Sequence, residues 1–414
     1  MKQISRRANR YSFLRGNFLI LMISWILMNF AGPIPQTYQS LYFKGLGATD
    51  FLLGVIGFAG SIALALVQFP GGYLADKHGR RLLVVTMTYG LALSYVFFVL
   101  APSWQFIVLA LIVQNFCLLY QPAMFAMMLD SVPPEERGKG YTLQAVVSNL
   151  VSLPAAIIAG YLILIFNLDL GMRIAYLIAL LAYLAAATFR INLKETLPQN
   201  KDKNSLNFLA AIREYPTSVK EGLQVWSRIP KAVLYLFVAT IGITSLVAAC
   251  QMFFVVYATS VLRIDNFQWA VVMAFMSVSV AIPAILAGFR MDVVGRKRYF
   301  ILSFLLYIPA MLIFLNANFI MLLASFFLFG LAQMLLGTSF NSLLGDLTPR
   351  ELRGTVIGCG QFFMYVGQAF AQLLAGALYT YVSPQLPFIL LAASAFPLSI
   401  IAFLKISDPS AKEV

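Results

Sequence analysis

Gly72-Tyr73-Leu74-Ala75-Asp76-Lys77-His78-Gly79-Arg80-Arg81 stands between two apolar stretches, and 216 residues later Gly288-Phe289-Arg290-Met291-Asp292-Val293-Val294-Gly295-Arg296-Lys297 stands between two more. Glycine, acid, glycine and arginine return in step, as Gly72 with Gly288, Asp76 with Asp292, Gly79 with Gly295 and Arg80 with Arg296. The same offset carries a second motif: Asp130, Pro133, Glu135, Arg137 and Gly138 recur as Asp346, Pro349, Glu351, Arg353 and Gly354. Even Ala159-Gly160 returns as Ala375-Gly376. Self-similarity at one long offset means that the chain is built from two copies of a single unit.

Around these motifs lie twelve apolar runs, the first at 17–36 and the last at 385–404, most of them about 20 residues long and so able to cross a bilayer as helices. Composition agrees, since 61% of the 414 residues are hydrophobic and 11% charged, whereas a soluble domain is nearer a quarter charged. A membrane β-barrel would alternate apolar and polar residues, and these runs are continuous. The fold class is therefore an all-α polytopic membrane protein. Because six spans separate the copies and the topology restarts on the same side, the repeats are parallel, related by an axis along the membrane normal. Two six-helix bundles are expected, at 1–189 and 232–414, joined by a linker at 190–231. Within the linker, Ser218 and Glu221 offer a capping box ahead of Leu223, Trp226 and Ile229, either a surface-lying amphipathic helix or a plain tether.

The formal charge of +13 follows topology: 26 of the 29 lysines and arginines fall in alternate non-membrane segments, and only Lys44, Arg173 and Arg263 lie on the other side. This is the positive-inside pattern, placing both termini in the cytoplasm of a cell-membrane protein and leaving no basic surface for nucleic acid. Lys2, Arg6, Arg7, Arg10 and Arg15 ahead of Phe18 mimic a signal peptide, but the stretch 33–38 has no small-residue cleavage site, so the run reads as a retained first span. Cys117, Cys250 and Cys359 sit inside spans without metal or redox spacing. No cofactor is implied.

The motif Gly72-x-Leu74-Ala75-Asp76-x-x-Gly79-Arg80-Arg81, its degenerate copy and the twelve-span plan resemble the major facilitator superfamily of secondary transporters. Pro33-x-Pro35, Leu46-Gly47-Ala48, Pro133-x-Glu135-x-Arg137-Gly138 and Glu195-Thr196-Leu197-Pro198 look most like its drug:proton antiporter branch. The resemblance implies a breakable cytoplasmic latch. Asp76 would accept hydrogen bonds from the N–H groups opening span 11 near Arg353 and meet its dipole. Arg80 and Arg81 would pair with Asp130, and the second half would repeat this with Asp292 facing the start of span 5, near Arg137, and Arg296 pairing with Asp346. Gly72, Gly79 and Gly295 would allow close helix approach and a tight turn. The competing reading is that these charges only orient loops. Relatives in that branch often carry an acid in span 1, where this chain has Asn29, and an arginine in span 4, where it has Leu111. The coupling partner, a proton or another ion, is left open by these departures.

The charged residues fall in loops or at span ends, which leaves a neutral interior. Amides and aromatics recur there at helical spacing: Trp25, Asn29 and Gln36 in span 1; Gln114, Cys117, Gln121 and Phe125 in span 4; Gln333 and Asn341 in span 10; Gln361, Tyr365, Gln368 and Gln372 in span 11. The repeat carries the span 4 stripe onto span 10, and the span 11 stripe onto Asn149 and Ser152 of span 5; Gln251 of span 7 joins the set. Any one amide serves equally as an interhelical hydrogen bond, but together they read as the lining of a cavity near the midplane. A carboxylate or phosphate substrate would want a buried Arg or Lys. The expected substrate is thus a small uncharged or amphipathic molecule, moved outward by alternating access. The alternatives are a facilitator or ion-coupled carrier of a neutral polar solute such as a sugar, and a transporter-like receptor. An enzyme would need titratable groups at depth, and no nucleotide-binding loop of the Gly-x-x-x-x-Gly-Lys type occurs. Each monomer would hold a complete pathway. Asp76→Asn is expected to insert normally and lose transport, measured as membrane expression beside flux; unchanged flux contradicts the latch.

Overall fold

The computed structural model describes residues 14–68, 79–133, 136–196, 229–348 and 353–406, and these contain helices and connecting turns. Ten helices are long and apolar enough to cross a membrane. One of them, 146–190, reverses at Asn167 and supplies two legs, and Asn266–Val294 supplies another, making twelve spans among the described residues. The reversal is abrupt: Asn167 has φ 60°, and a Cβ placed on Gly171 would lie 2.8 Å from the Leu162 carbonyl oxygen, a contact no straight helix allows.

In chain order the spans are α1 (Gly16–Ala31, extended by 33–36 and 39–45), α2 (Asp50–Val67), α3 (Arg80–Val99), α4 (Trp104–Cys117, extended by 121–130), α5 (Arg137–Ser152, extended by 155–166) and α6 (168–190). The second half follows as α7 (Lys231–Gln251, extended by 254–260), α8 (Asn266–Val294), α9 (Arg296–Phe314), α10 (Phe319–Leu347), α11 (Arg353–Tyr381) and α12 (Leu386–Lys405). Thr49 and Asn318 cap α2 and α10 by accepting the N–H groups of Leu52 and Met321. Ahead of α3 and α9, Gly79 and Gly295 adopt φ 93° and 105°, a region that side chains disfavour, which explains why the repeat keeps glycine at both places.

Apolar side chains drive the packing. In the first half the rings of Phe98 and Tyr176 stack at 4.7 Å and Tyr95 meets Tyr183 edge-on at 4.9 Å, fastening α3 to α6. The second half packs Phe254, Phe314, Phe326, Phe329 and Phe388 in one buried cluster of mostly edge-to-face rings. Outward-facing Leu164, Ile165, Ile320 and Phe403 are exposed and form part of the belt that meets lipid.

All three basic residues that break the charge asymmetry sit on the side opposite the chain ends, termed here the far side, and two are tied down. Lys44 pairs with Asp50 at 2.6 Å. Arg173 binds both oxygens of Asp169 at 3.1 Å and donates to the carbonyls of Val99 and Ala101, at 2.7 and 3.0 Å, which the end of α3 leaves without helical partners. Arg263 takes φ 56° in the turn before α8.

The neutral interior expected from sequence needs one correction. Arg190, assigned to the linker by its position, is the last residue of α6 and its side chain is fully buried in the first bundle. Its guanidinium donates to Ser24 Oγ, Thr88 Oγ1 and Met124 Sδ at 3.0, 2.7 and 3.2 Å, and lies 5.1 Å from the centre of the Tyr120 ring. Hydroxyl, thioether and ring together replace water around the charge. Arg173→Ala should cost about 1–3 kcal/mol by stranding its carbonyl partners, seen as a lower unfolding midpoint in detergent; an unchanged midpoint would contradict this role.

Candidate functional site

The two halves touch through small residues. A Cβ on Gly54 of α2 would fall 2.8 Å from Gly376 Cα of α11, and one on Gly160 of α5 would fall 2.6 Å from Ala270 Cβ of α8. Helices can approach this closely only where side chains are nearly absent. Around these points Phe51 meets Tyr381, Phe58 meets Phe370 and Tyr161 meets Phe267, with ring centres 5.8, 5.6 and 5.4 Å apart. Hydrogen bonds also cross, among them Tyr38 OH to the Asn266 carbonyl, Trp269 Nε1 to the Thr37 carbonyl at 3.1 Å, Ser61 Oγ to Gln372 Oε1 at 2.9 Å and Ser40 Oγ to Met252 Sδ at 3.5 Å. Every one of these contacts lies in the far half of the membrane, so the far side is closed.

Beneath that closure lies a cavity of about 270 Å³. Its position follows from two broken helices. In α1 the first piece ends at Ala31, whose carbonyl gets no N–H from Pro35, and the short piece that follows stops at Gln36 before the helix restarts at Gln39. α7 stops at Gln251 and restarts at Phe254. The breaks turn Gln36 and Gln251 into the cavity, where Gln333 of α10 joins them. Thr37, Ser40, Ser152 and Ser277 add small polar groups, and Phe254, Trp269, Met273, Met276, Phe326 and Phe329 form an apolar wall. Among the described residues, no charged one lines it. The three glutamines are exposed although they stand at mid-span, because they face this space and not lipid. A second cavity, about 150 Å³, lies between α2, α4, α7 and α11, with Ser61, Asn115, Tyr365, Gln368 and Gln372 on its wall.

On the side of the chain ends, termed the basic side, Arg80 forms an ion pair with Asp130 and Arg296 with Asp346, one pair per half at the repeat offset. Arg81 departs from expectation: it donates to the Ile191 carbonyl at 2.8 Å, and its backbone N–H donates to Glu195 Oε2 at 3.0 Å. Glu195 thereby caps α3, and Thr196 accepts a further bond from Arg80 at 3.3 Å. Gly72 and Asp76 lie outside the described residues, as do the side chains of Arg137, Asp292 and Arg353 and most of the linker.

The family model of the Major Facilitator Superfamily matches residues 14–289 and again 243–414. The chain belongs to the major facilitator superfamily. A multi-drug resistance efflux pump PmrA homolog of Lactococcus lactis is 24% identical over 382 residues, covering 88% of this chain and 89% of the relative. The efflux pump PmrA of Streptococcus pneumoniae is 24% identical over 352 residues, covering 82% and 84%. Among solved structures, a variant of the nucleoside transporter NupG superposes with a TM-score of 0.72 at 13% identity, covering 95% of this chain and 100% of that one. That likeness shows the superfamily fold.

Within this fold the residues singled out from sequence divide into three groups. Gln36, Gln251 and Gln333 line the first cavity, and Tyr365 and Gln368 the second. Asn149, Asn341, Gln361 and Phe125 are exposed in the basic half, and Gln121 is half-buried there. Trp25 and Asn29 are used inside the first bundle: Trp25 is buried 6.4 Å from the Phe125 ring, and Asn29 Nδ2 donates to the Trp25 carbonyl at 2.9 Å and Ser148 Oγ at 3.5 Å. The span 4 stripe breaks up. A 3-10 turn at Leu118–Tyr120 shifts the phase of Gln121 and Phe125 relative to Gln114 and Cys117; above the turn, Cys117 packs on Gly90 of α3 and Asn115, not Gln114, reaches a cavity. Sequence reasoning also passed over α8, although Trp269, Met273, Met276 and Ser277 stand at i, i+4, i+7 and i+8. That stripe lacks amides and resembles core.

Proposed function

We propose that this protein is a secondary transporter that exports small, uncharged or amphipathic organic solutes by alternating access. The observation that carries the reading is the uncharged cavity, in which three glutamines and four hydroxyl residues face an aromatic and methionine wall. Such a lining gives a solute apolar contact and a few neutral hydrogen bonds and no ion pair. The relatives named as multidrug efflux pumps support outward transport of compounds of this kind.

In this reading the protein sits in the cell membrane with its basic side in the cytoplasm, which the charge asymmetry supports. Closure on the far side then makes the conformation inward-facing, ready to load solute from the cytoplasm or the inner leaflet. The ion pairs of Arg80 with Asp130 and Arg296 with Asp346 each brace one half and are made in this conformation, so the latch that forms and breaks between the halves on the cytoplasmic side rests on Asp76 and its neighbours. The described lining residues include no carboxylate, so a coupling proton would act through acids on the cytoplasmic side. A monomer suffices, because both halves of the pathway come from one chain.

The test is flux of a neutral fluorescent amphipathic compound in proteoliposomes, with and without an imposed pH gradient. Wild-type protein should move the compound, and Gln36→Leu and Gln251→Leu should each raise the half-saturating concentration roughly 2- to 10-fold, the worth of one neutral hydrogen bond. Flux insensitive to both substitutions would contradict this site, and equilibration indifferent to the gradient would favour a facilitator of a neutral solute.

A further inference from the structure

The two cavities share a thin wall. Ser40 lines the first and Met252 lines the second, and Ser40 Oγ donates to Met252 Sδ at 3.5 Å. Met252 follows Gln251, which faces the first cavity, and it occupies the break between the two pieces of α7, packed at the edge of the hydrophobic core. It is half-buried. Methionine is unbranched with three rotatable bonds, and a hydroxyl-to-thioether bond is weak, so the side chain swings aside at little cost.

The second cavity has its own polar chemistry. Gln372 is 8% exposed, and its Oε1 is taken by Ser61 at 2.9 Å. Its Nε2 finds no acceptor among the described residues, and the side chain lies on the cavity wall. Asn115 Nδ2 is held by the Gly60 carbonyl at 3.1 Å, which fixes that amide on the opposite helix. Gln368 and Tyr365 complete a neutral lining with Gly57 and Leu64. An amide donor that opens onto a small uncharged space calls for an uncharged acceptor, such as a carbonyl or ether oxygen.

Size supplies the remaining argument. The first cavity, at about 270 Å³, falls just below the range of about 300–1,000 Å³ that takes a drug-sized molecule, and joining the second, at about 150 Å³, would bring the space within it. We propose that Met252 is a movable partition between two compartments of one site, and that the second compartment receives an uncharged hydrogen-bond-accepting group of solutes too long for the first. The proposal rests on the transport reading above and adds a determinant of substrate length.

Two neutral fluorescent probes of one scaffold test it: a short form, and a form extended by an arm ending in a carboxamide. Affinity is read by fluorescence anisotropy with purified protein, and flux is read separately in proteoliposomes. Met252→Ala should raise the preference for the extended over the short probe, and Met252→Phe should reverse it, each by roughly tenfold, the scale on which pockets discriminate such groups. Gln372→Leu should lower the extended probe's affinity more than the short probe's. This pattern in binding with no flux from wild-type protein would support the partition and count against the efflux reading alone. A preference unmoved by both Met252 variants, or an extended probe that does not bind, overturns the proposal.

Discussion

Gly54 of α2 lies against Gly376 of α11, and the absence of both side chains lets two helices from different halves meet at backbone distance. The rest of the arrangement depends on this approach and on its counterpart at Gly160 and Ala270. Where the backbones touch, the rings of Phe51 with Tyr381 and Tyr161 with Phe267 close over them, and the broken segments of α1 and α7 are pressed together beneath. The cavity is what remains below that seal. Because small-residue contacts gain by dispersion and shape and carry no strong polar bond, they hold a closed state without locking it.

A membrane leaves no water to satisfy stray polar groups, and this constraint explains the polar features that are not at the cavity. Arg173 caps the end of α3, Glu195 caps its start, and the hydroxyls of Ser24 and Thr88 accept from Arg190. Each is a local solution to one orphaned group. The glutamines of the cavity differ, since they are presented to open space at depth, where an unsatisfied amide is costly unless something comes to meet it.

Much of this was legible in the sequence because the repeat checks itself. Gly79 and Gly295 have the same positive φ, and Arg80 and Arg296 find the same acid 50 residues on, at Asp130 and Asp346. The fold follows from the apolar runs, whereas the breaks near Gln36 and Gln251 came only with the structure, the second with no proline to mark it. What escaped was phase and reach. A single 3-10 turn rotated the lower part of α4, with Gln121 and Phe125, away from the phase of Gln114 and Cys117, and a long arginine at a helix end reached back into the bundle, which its position alone could not disclose. The wall built by Trp269, Met273 and Met276 was hidden because apolar residues at helical spacing look the same whether they face a core or a cavity.

The central claim is that the far-side seal must open for solute to leave. The most direct measurement places Tyr161→Cys and Phe267→Cys, whose rings lie 5.4 Å apart, in a chain with Cys117, Cys250 and Cys359 replaced, and follows flux in proteoliposomes before and after oxidation. The account predicts that flux stops when the pair is crosslinked and returns on reduction. Flux that continues with the halves locked together on the far side would contradict it.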